Sequence, residues 1–442
     1  MERTRQSFQH DSLLHSIRNA LTIGLNRTKT KAPHGIAEFS HVDCLMSCLS
    51  VFTFKFPSLL QFDTAKNEDE HVKSSLKNLF KIKNVPCDTQ MRVRLDLIHP
   101  NVTRPAFTQL FSLLQRGKIL ESFCFMGKYY LISLDGTGYF SSSTIHCSNC
   151  CTKQYKDGQI TYHHQMLGAA LVHPDHRVVF PFAPEPIIKA DGDKKNDCER
   201  TAAKRWVEKF RREHFLLRGI ILADGLSSNE PFITDLKKND LSFILVAQEP
   251  DHKYLFDWLN TADPEDAPTQ GETLKDGTHR TYQYMKDVPL NSSKGNCLVN
   301  VVRHTETKKG QTRTWVWVTD LEVNEKTVRD IVRGGRCRWK IENETFNTLK
   351  NQGYNFDHNY GHGNKYLSTV MAHLMLLAFF VDQILQGFDK TFQACYEKMK
   401  SKHSLWERMR SFLAHYIVGS FEDLYSAIIR PPPKKSLAVA AA

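Results

Sequence analysis

The sequence predicts an α/β chain: a mixed sheet carrying a β-rich insertion, with a helical region before it and helices after it. Three observations lead there. Apolar residues recur at helical spacing up to about residue 125 and again beyond residue 366. Between those regions, short β-branched and aromatic runs are separated by helical stretches. The pattern changes near Lys128 and again near Asp251, where the sheet and then the insertion begin.

Residues 1–125 read as a helical, DNA-binding region. Leu13, Leu14, Ile17 and Leu21 fall on one helical face, as do Phe107, Leu110, Phe111 and Leu114. Lys31-Ala32-Pro33-His34-Gly35 and Asn84-Val85-Pro86 are loop signals between helices. The stretch from Phe80 to Lys118 is basic and includes Arg92 and Arg94. A helix pair with basic edges suits DNA docking; the plainer reading is a solvated helical face.

Residues 126–250 carry the first part of the sheet. Tyr129 to Leu134 is a compact β-former run. Thr161 to Val172 and Val178 to Phe182 follow as strands, turned at Pro174-Asp175-His176. A helix begins near Asn196-Asp197-Cys198-Glu199, with Ala202, Ala203, Trp206, Val207 and Phe210 as its apolar face. Gly219 to Ala223 is a fourth strand, Glu230 to Leu236 a helix, and Phe243 to Ala247 a fifth strand. Three strands in a meander, then helix, strand, helix, strand, is the element order of a ribonuclease H-like core.

Residues 251–322 form the insertion. Gln283 to Met285, Cys297 to Arg303 and Thr314 to Val318 alternate like strands, and Gly277, Gly295 and Gly310 mark turns. Residues 323–365 return to helix, running from Glu325 through Lys350, and complete the core. Residues 366–430 are helical again, and Pro431-Pro432-Pro433 ends the fold. The tail over 431–442 reads as disordered.

Composition narrows the functional classes. Hydrophobic residues at 41% and charged residues at 24% exclude a disordered or fibrous chain. Lys and Arg number 59 against 48 acids, a net charge of +11, which favours a polyanionic partner or a merely basic enzyme. The apolar stretch Val370 to Val381, broken only by His373, is shorter than the ~20 residues a bilayer requires and reads as a core helix. The N-terminus shows neither a signal-peptide core nor a lipidation signal. Eleven scattered cysteines fit a reducing compartment, so the expected location is cytoplasmic.

The chemistry rests on three acids. Asp135 closes the first strand, before Gly136-Thr137-Gly138, and Asp224 closes the fourth, before Gly225. Glu342 lies in Arg338-Trp339-Lys340-Ile341-Glu342-Asn343-Glu344, where helical spacing of four sets Arg338, Glu342, Phe346 and Lys350 on one face. Singly, each acid is a turn residue or half of a surface ion pair. Together they can hold two Mg²⁺ or Mn²⁺ ions. Two ions about 4 Å apart stabilise both oxygens of an in-line phosphoryl displacement.

Asp135, Asp224 and Glu342, with the Arg338-Trp339-Lys340-Ile341-Glu342 helix, resemble the DDE triad and signature helix of bacterial insertion-sequence transposases. The likeness is to the insertion-sequence-four-like group, which has a β insertion between the second Asp and the Glu. It spans roughly residues 80–430 and includes Ser141-Ser142, Cys147-Ser148-Asn149-Cys150, Tyr162-His163-His164, Asn196 to Glu199 and Asn347 to Lys350. Two positions depart: Gly335 stands where the family has Tyr, and Leu349 where it has Lys, leaving Lys350 as the substitute. Glu344 is the fallback acid if the helix register differs. The resemblance implies DNA contacts by Arg338, Lys340 and Lys350. In relatives that excise through a DNA hairpin it also implies an aromatic from the insertion holding a flipped base, and Trp315 and Trp317 occupy that place. Alternating Trp-Val-Trp is equally plain strand packing.

The resemblance further implies a bacterial, nucleoid-associated transposase that works as a homodimer on inverted-repeat ends and target DNA. It would cleave to free a 3′-OH and join that end to the target. A non-catalytic, domesticated DNA-binding protein and a nuclease that cleaves without joining are the other two readings.

Cys147 and Cys150 have C-x-x-C spacing, with His163 and His164 on the next predicted strand. That set fits a structural tetrahedral Zn²⁺ site, or else buried free thiols near a hairpin loop.

Overall fold

The computed structural model describes residues 8–28, 39–189, 198–292 and 297–432. The loop Lys31–Gly35, the helix start at Asn196-Asp197, Gly295 and the tail beyond Pro432 lie outside the described residues. The chain forms two units: residues 111–347, built on a sheet, and a helical unit of residues 1–110 and 348–442.

The sheet unit is mixed α/β. Its strands are β1 (Tyr130–Ser142), β2 (Cys151–Gln154), β3 (Ile160–Val172), β4 (Phe180–Pro181), β5 (Glu185–Ile187), β6 (Gly219–Ala223), β7 (Ser242–Val246), β8 (Thr269–Thr273), β9 (His279–Pro289), β10 (Leu298–Lys308) and β11 (Gln311–Thr319). They lie in one sheet in the order β2-β3-β1-β6-β7-β11-β10-β9-β8, with β4 and β5 also paired to β3. β1, β6 and β7 are parallel, and every other pairing is antiparallel. Parallel strands covered on both faces read as unbroken apolar runs, and all five residues of β6 are buried.

The helix Glu199–Glu213 covers this region with the expected face: Ala202, Ala203, Trp206, Val207 and Phe210 are all buried. Trp206 Nε1 donates to the Ala183 carbonyl at 3.1 Å, which satisfies the one polar atom of a buried indole. Glu185, also buried, takes ion pairs from Arg205 at 3.0 Å and Lys209 at 2.7 Å on that helix.

The insertion is not a separate layer. β11 pairs antiparallel with β7 (Trp317 with Val246, Val318 with Leu245), so β8–β11 extend the same sheet. Its β10–β11 hairpin turns at Lys309-Gly310, both at positive φ (50° and 78°), as a tight two-residue turn requires. A helix at Lys253–Thr261 was not legible in the pattern of the insertion.

The predicted helix from Glu325 to Lys350 is broken. An α-helix runs over Val328–Arg336, a 3₁₀ turn over Cys337–Trp339 and a π-helical turn over Ile341–Phe346. A π turn inserts an extra residue per hydrogen-bonded ring and rotates the residues beyond it, so of the expected common face only the Arg338–Glu342 pair, at 3.2 Å, is seen. Phe346 instead packs on β3. A Cβ on Gly168 would come 2.7 Å from its ring, so the glycine is what admits it.

The helical unit joins the N-terminal and C-terminal helices, which periodicity in the sequence kept apart. Leu367–Phe388 is its spine, buried from Thr369 to Leu385. It is the one described helix long and apolar enough to cross a membrane, and its apolar window is wholly buried in the protein. Asp96, more than 260 residues away in sequence, accepts N–H bonds of 2.9–3.0 Å from Asn364, Lys365, Tyr366 and Leu367 and so caps its start. Lys55 is buried against Asp382, with Trp406 3.9 Å beneath its ammonium. His10 Nδ1 lies 2.6 Å from the Tyr425 hydroxyl.

Candidate active site

The parallel register of β1 and β6 points the first two acids to neighbouring positions, although β1 runs on past Asp135 to Ser142 instead of closing there. Tyr130 lies level with Gly219 and Ser133 with Leu222. Carried two residues on, the same register sets Asp135 beside Asp224. Neighbouring strands are about 4.8 Å apart, and residues in register project to the same face. On its other side Asp135 is paired with Gly168 of β3, where Phe346 and Ile341 seat the broken helix. Ser133 fastens that helix by donating from Oγ to the Arg338 carbonyl at 2.8 Å.

Glu342 is thereby delivered close enough to Asp135 for its carboxyl to act on that of the aspartate. Two carboxyls in contact cannot both ionise cheaply. Burial, then the neighbouring carboxyl of Glu342, push Asp135 up to about 7, while Arg338 pulls the other way. Arg338 donates to Glu342 Oε1 at 3.2 Å and is buried, its guanidinium 4.1 Å over the Trp339 ring. Glu342, and not Glu344, is the acid in contact with Asp135 and Arg338.

A fourth carboxylate joins them. Glu199, at the first turn of its helix, lies so close to β1 that a Cβ on Gly136 would fall 2.1 Å from its Oε1. Burial and then the charge of Asp224 raise its pKa, and its own charge acts on Asp135. In the sequence it stood only at the helix start and in the Asn196 to Glu199 stretch of the family likeness, with no role assigned. The signal that could have found it is Gly136-Thr137-Gly138, a run without bulk at the first residue after Asp135.

The segment that leads to Glu342 borders a basic surface, though none of the acids lines it. A cavity of about 420 Å³ is lined by Arg280, Arg329, Arg333, Arg336 and Lys340, with Tyr282 and His304 among its walls. Lys340 also donates to the His176 carbonyl, which fixes its ammonium. Lys350 belongs to the helical unit, where it pairs with Asp357 at 3.4 Å. Trp315 stacks on His304, ring centres 5.6 Å apart, with Arg336 4.9 Å over it.

Trp317 is 2% exposed, and a Cβ on Gly335 would meet its ring at 2.6 Å. A buried ring cannot stack on a base, so Trp317 is a packing residue. It also gives a physical reason for Gly335: the indole fills the space a side chain there would need. Trp339, half exposed beside Arg338, is the aromatic that sequence reasoning passed over.

Of the cysteine–histidine set, Cys147, Cys150 and His164 come together. The two Sγ atoms are 3.8 Å apart, and His164 Nε2 lies 3.6 Å from Cys147 Sγ and 3.5 Å from Cys150 Sγ. His163 does not join them. Adjacent residues of a strand face opposite sides, and burial of His164 leaves His163 on the other face of β3, across from Cys151. The close Cys147 sulfur, with burial adding, holds the Cys150 thiol well above its ordinary range.

No family model matches the chain, and no curated protein matches it.

Proposed function

We propose that the protein is a DDE transposase: a metal-dependent enzyme that cleaves DNA at inverted-repeat transposon ends and transfers the resulting 3′-OH into target DNA. The observation that carries this is Glu342, on a basic helix, acting on Asp135 in the middle of β1, with Asp224 just past the end of the neighbouring parallel strand β6. The strand order β3-β1-β6-β7, with β1, β6 and β7 parallel and β3 antiparallel, agrees with a ribonuclease H-like core. The insertion then enters between the second acid and the third.

The residues fit divalent magnesium or manganese. Their donors are hard carboxylate oxygens, and the proton that Asp135 retains up to about 7 marks a place short of positive charge. Asp135, Asp224 and Glu342 would hold two ions, with Glu199 beside them. When bound, such ions supply Lewis-acid stabilisation to the attacking and leaving oxygens of phosphoryl transfer. Arg338 orients the Glu342 carboxylate through its 3.2 Å bond. Arg280, Arg329, Arg333 and Arg336, which pair with Glu306, Glu272, Asp175 and Glu306, would turn guanidinium forks from these carboxylates to phosphates along the strand. Trp339, half exposed, presents a ring face to bases drawn out of the stack, whereas Trp315 would have to give up His304 or Arg336 to do so. By the sequence resemblance, the active form is a homodimer on paired ends.

The test uses labelled DNA carrying the sequences that flank the gene, where inverted repeats are expected. Wild-type protein with Mg²⁺ should cut at the repeat boundary and join the end to a second duplex, and Asp224→Asn should do neither. Equal cutting by Asp224→Asn removes Asp224 from the mechanism. Cutting without joining leaves a nuclease, and binding without cutting leaves a domesticated DNA-binding protein.

A further inference from the structure

We infer that Cys147, Cys150 and His164 form a structural zinc site in the sheet unit, tying the loop after β1 to β3. The inference is independent of the phosphoryl-transfer reading, because none of these residues is among the acids.

The distances carry it. Zinc bonds to sulfur are about 2.3 Å long and those to imidazole nitrogen about 2.0–2.1 Å. A tetrahedron with those bonds has edges of about 3.8 Å between sulfurs and about 3.6 Å between sulfur and nitrogen. The observed edges are 3.8, 3.6 and 3.5 Å. One ion thus fits all three ligands at normal bond lengths without moving them. A disulfide would need the sulfurs near 2.05 Å, and at 3.8 Å Cys147 and Cys150 are not joined by one.

The surroundings suit thiolates. The Cys147 N–H points to Cys150 Sγ at 3.4 Å, and the Cys150 N–H donates to the Cys147 carbonyl at 3.2 Å, closing a tight turn around the sulfurs. Cys151, next in sequence, is spent elsewhere: its S–H donates to the Ile187 carbonyl at 3.6 Å. His164 is buried and held between aromatic neighbours, with Tyr139 stacked at 5.8 Å and Phe140 at 5.7 Å. Two soft thiolates and an imidazole select zinc over the hard cations that the carboxylates would take. The loop so fixed, residues 143–150, has little other regular structure to hold it.

The test is metal content. Full-length protein expressed with supplemental zinc and purified without chelator should carry about one zinc per chain. Cys147→Ser and Cys150→Ser should lose at least about nine-tenths of it. Cys151→Ser and His163→Asn, neighbours outside the triangle, should keep it. Because a ligand variant could fail to fold, Co²⁺ exchanged into the wild type gives a second readout: tetrahedral ligand-field bands with thiolate charge transfer of two-sulfur intensity. Wild type that takes up no zinc, zinc retained by both serine variants, or a cobalt spectrum without thiolate charge transfer would overturn the site.

Discussion

Removing the charge of Asp135 should stabilise the protein while abolishing its proposed chemistry. The carboxyl is raised from 3.8 to about 7 by burial and by Glu342. At about 1.36 kcal/mol per pH unit, the native state disfavours the ionised form by about 4 kcal/mol before screening. Asp135 is only half-buried, so solvent reduces this to about 2 kcal/mol. Between about pH 4 and about pH 7 the native protein holds a proton that the unfolded chain has lost, so stability falls as pH rises through that window and is lowest above it. Asp135→Asn keeps the shape beside Glu342 without the charge. In buffer free of divalent cations at about pH 8, it should melt about 4–8 °C above wild type, at 2–4 °C per kcal/mol for a unit of this size. Its melting temperature should also vary less between about pH 5 and about pH 8. Added Mg²⁺ should raise the wild-type melt at the upper pH and leave the variant's unchanged. Thermal scans by circular dichroism read all of this. A variant that melts at or below wild type at about pH 8, with the same pH slope, would refute the carboxylate cluster as drawn.

Three further outcomes are expected. Glu199→Gln should weaken Mg²⁺ binding by roughly tenfold in titration calorimetry, since it removes a charge next to the proposed ligands. Gly168→Ala places a methyl 2.7 Å from the Phe346 ring and should cost about 1–3 kcal/mol in urea unfolding, with Phe346→Leu on the same chain restoring much of it. Asp382→Ala strands the buried Lys55 ammonium and should cost about 3–5 kcal/mol in the unfolding of the helical unit, whereas replacing both with apolar residues should cost far less.

The sequence disclosed only as much as pattern can encode. Ile220 to Ala223 and Phe243 to Ala247 announce strands because a doubly covered strand has no polar face to hide. Asp135 and Asp224 were visible because each ends such a run. The break around Glu342 was not, because Arg338, Glu342 and Phe346 keep helical spacing along the chain. The extra residue of the π turn is consistent with Phe346 settling over Gly168, a contact across nearly 180 residues. Glu199 stayed hidden for the same reason: its partner Gly136 lies on another element. Likewise, C-x-x-C spacing picked out Cys147 and Cys150, and only strand parity could choose between His163 and His164. Nor does periodicity say which helices share a core, so the two ends of the chain looked like separate regions.

The split helical unit carries a consequence for biosynthesis. The bonds from Asp96 to the start of the Leu367 helix, from Lys55 to Asp382 and from His10 to Tyr425 all join residues made early to residues made late. At translation speeds of about 5–20 residues per second, the intervening 111–347 stretch takes about 12–50 s to emerge. For that interval Lys55 and the apolar faces of the early helices await their complement. Nascent chains stalled before residue 367 should therefore recruit holdase chaperones through the first hundred residues, and release them once the final helices leave the ribosome.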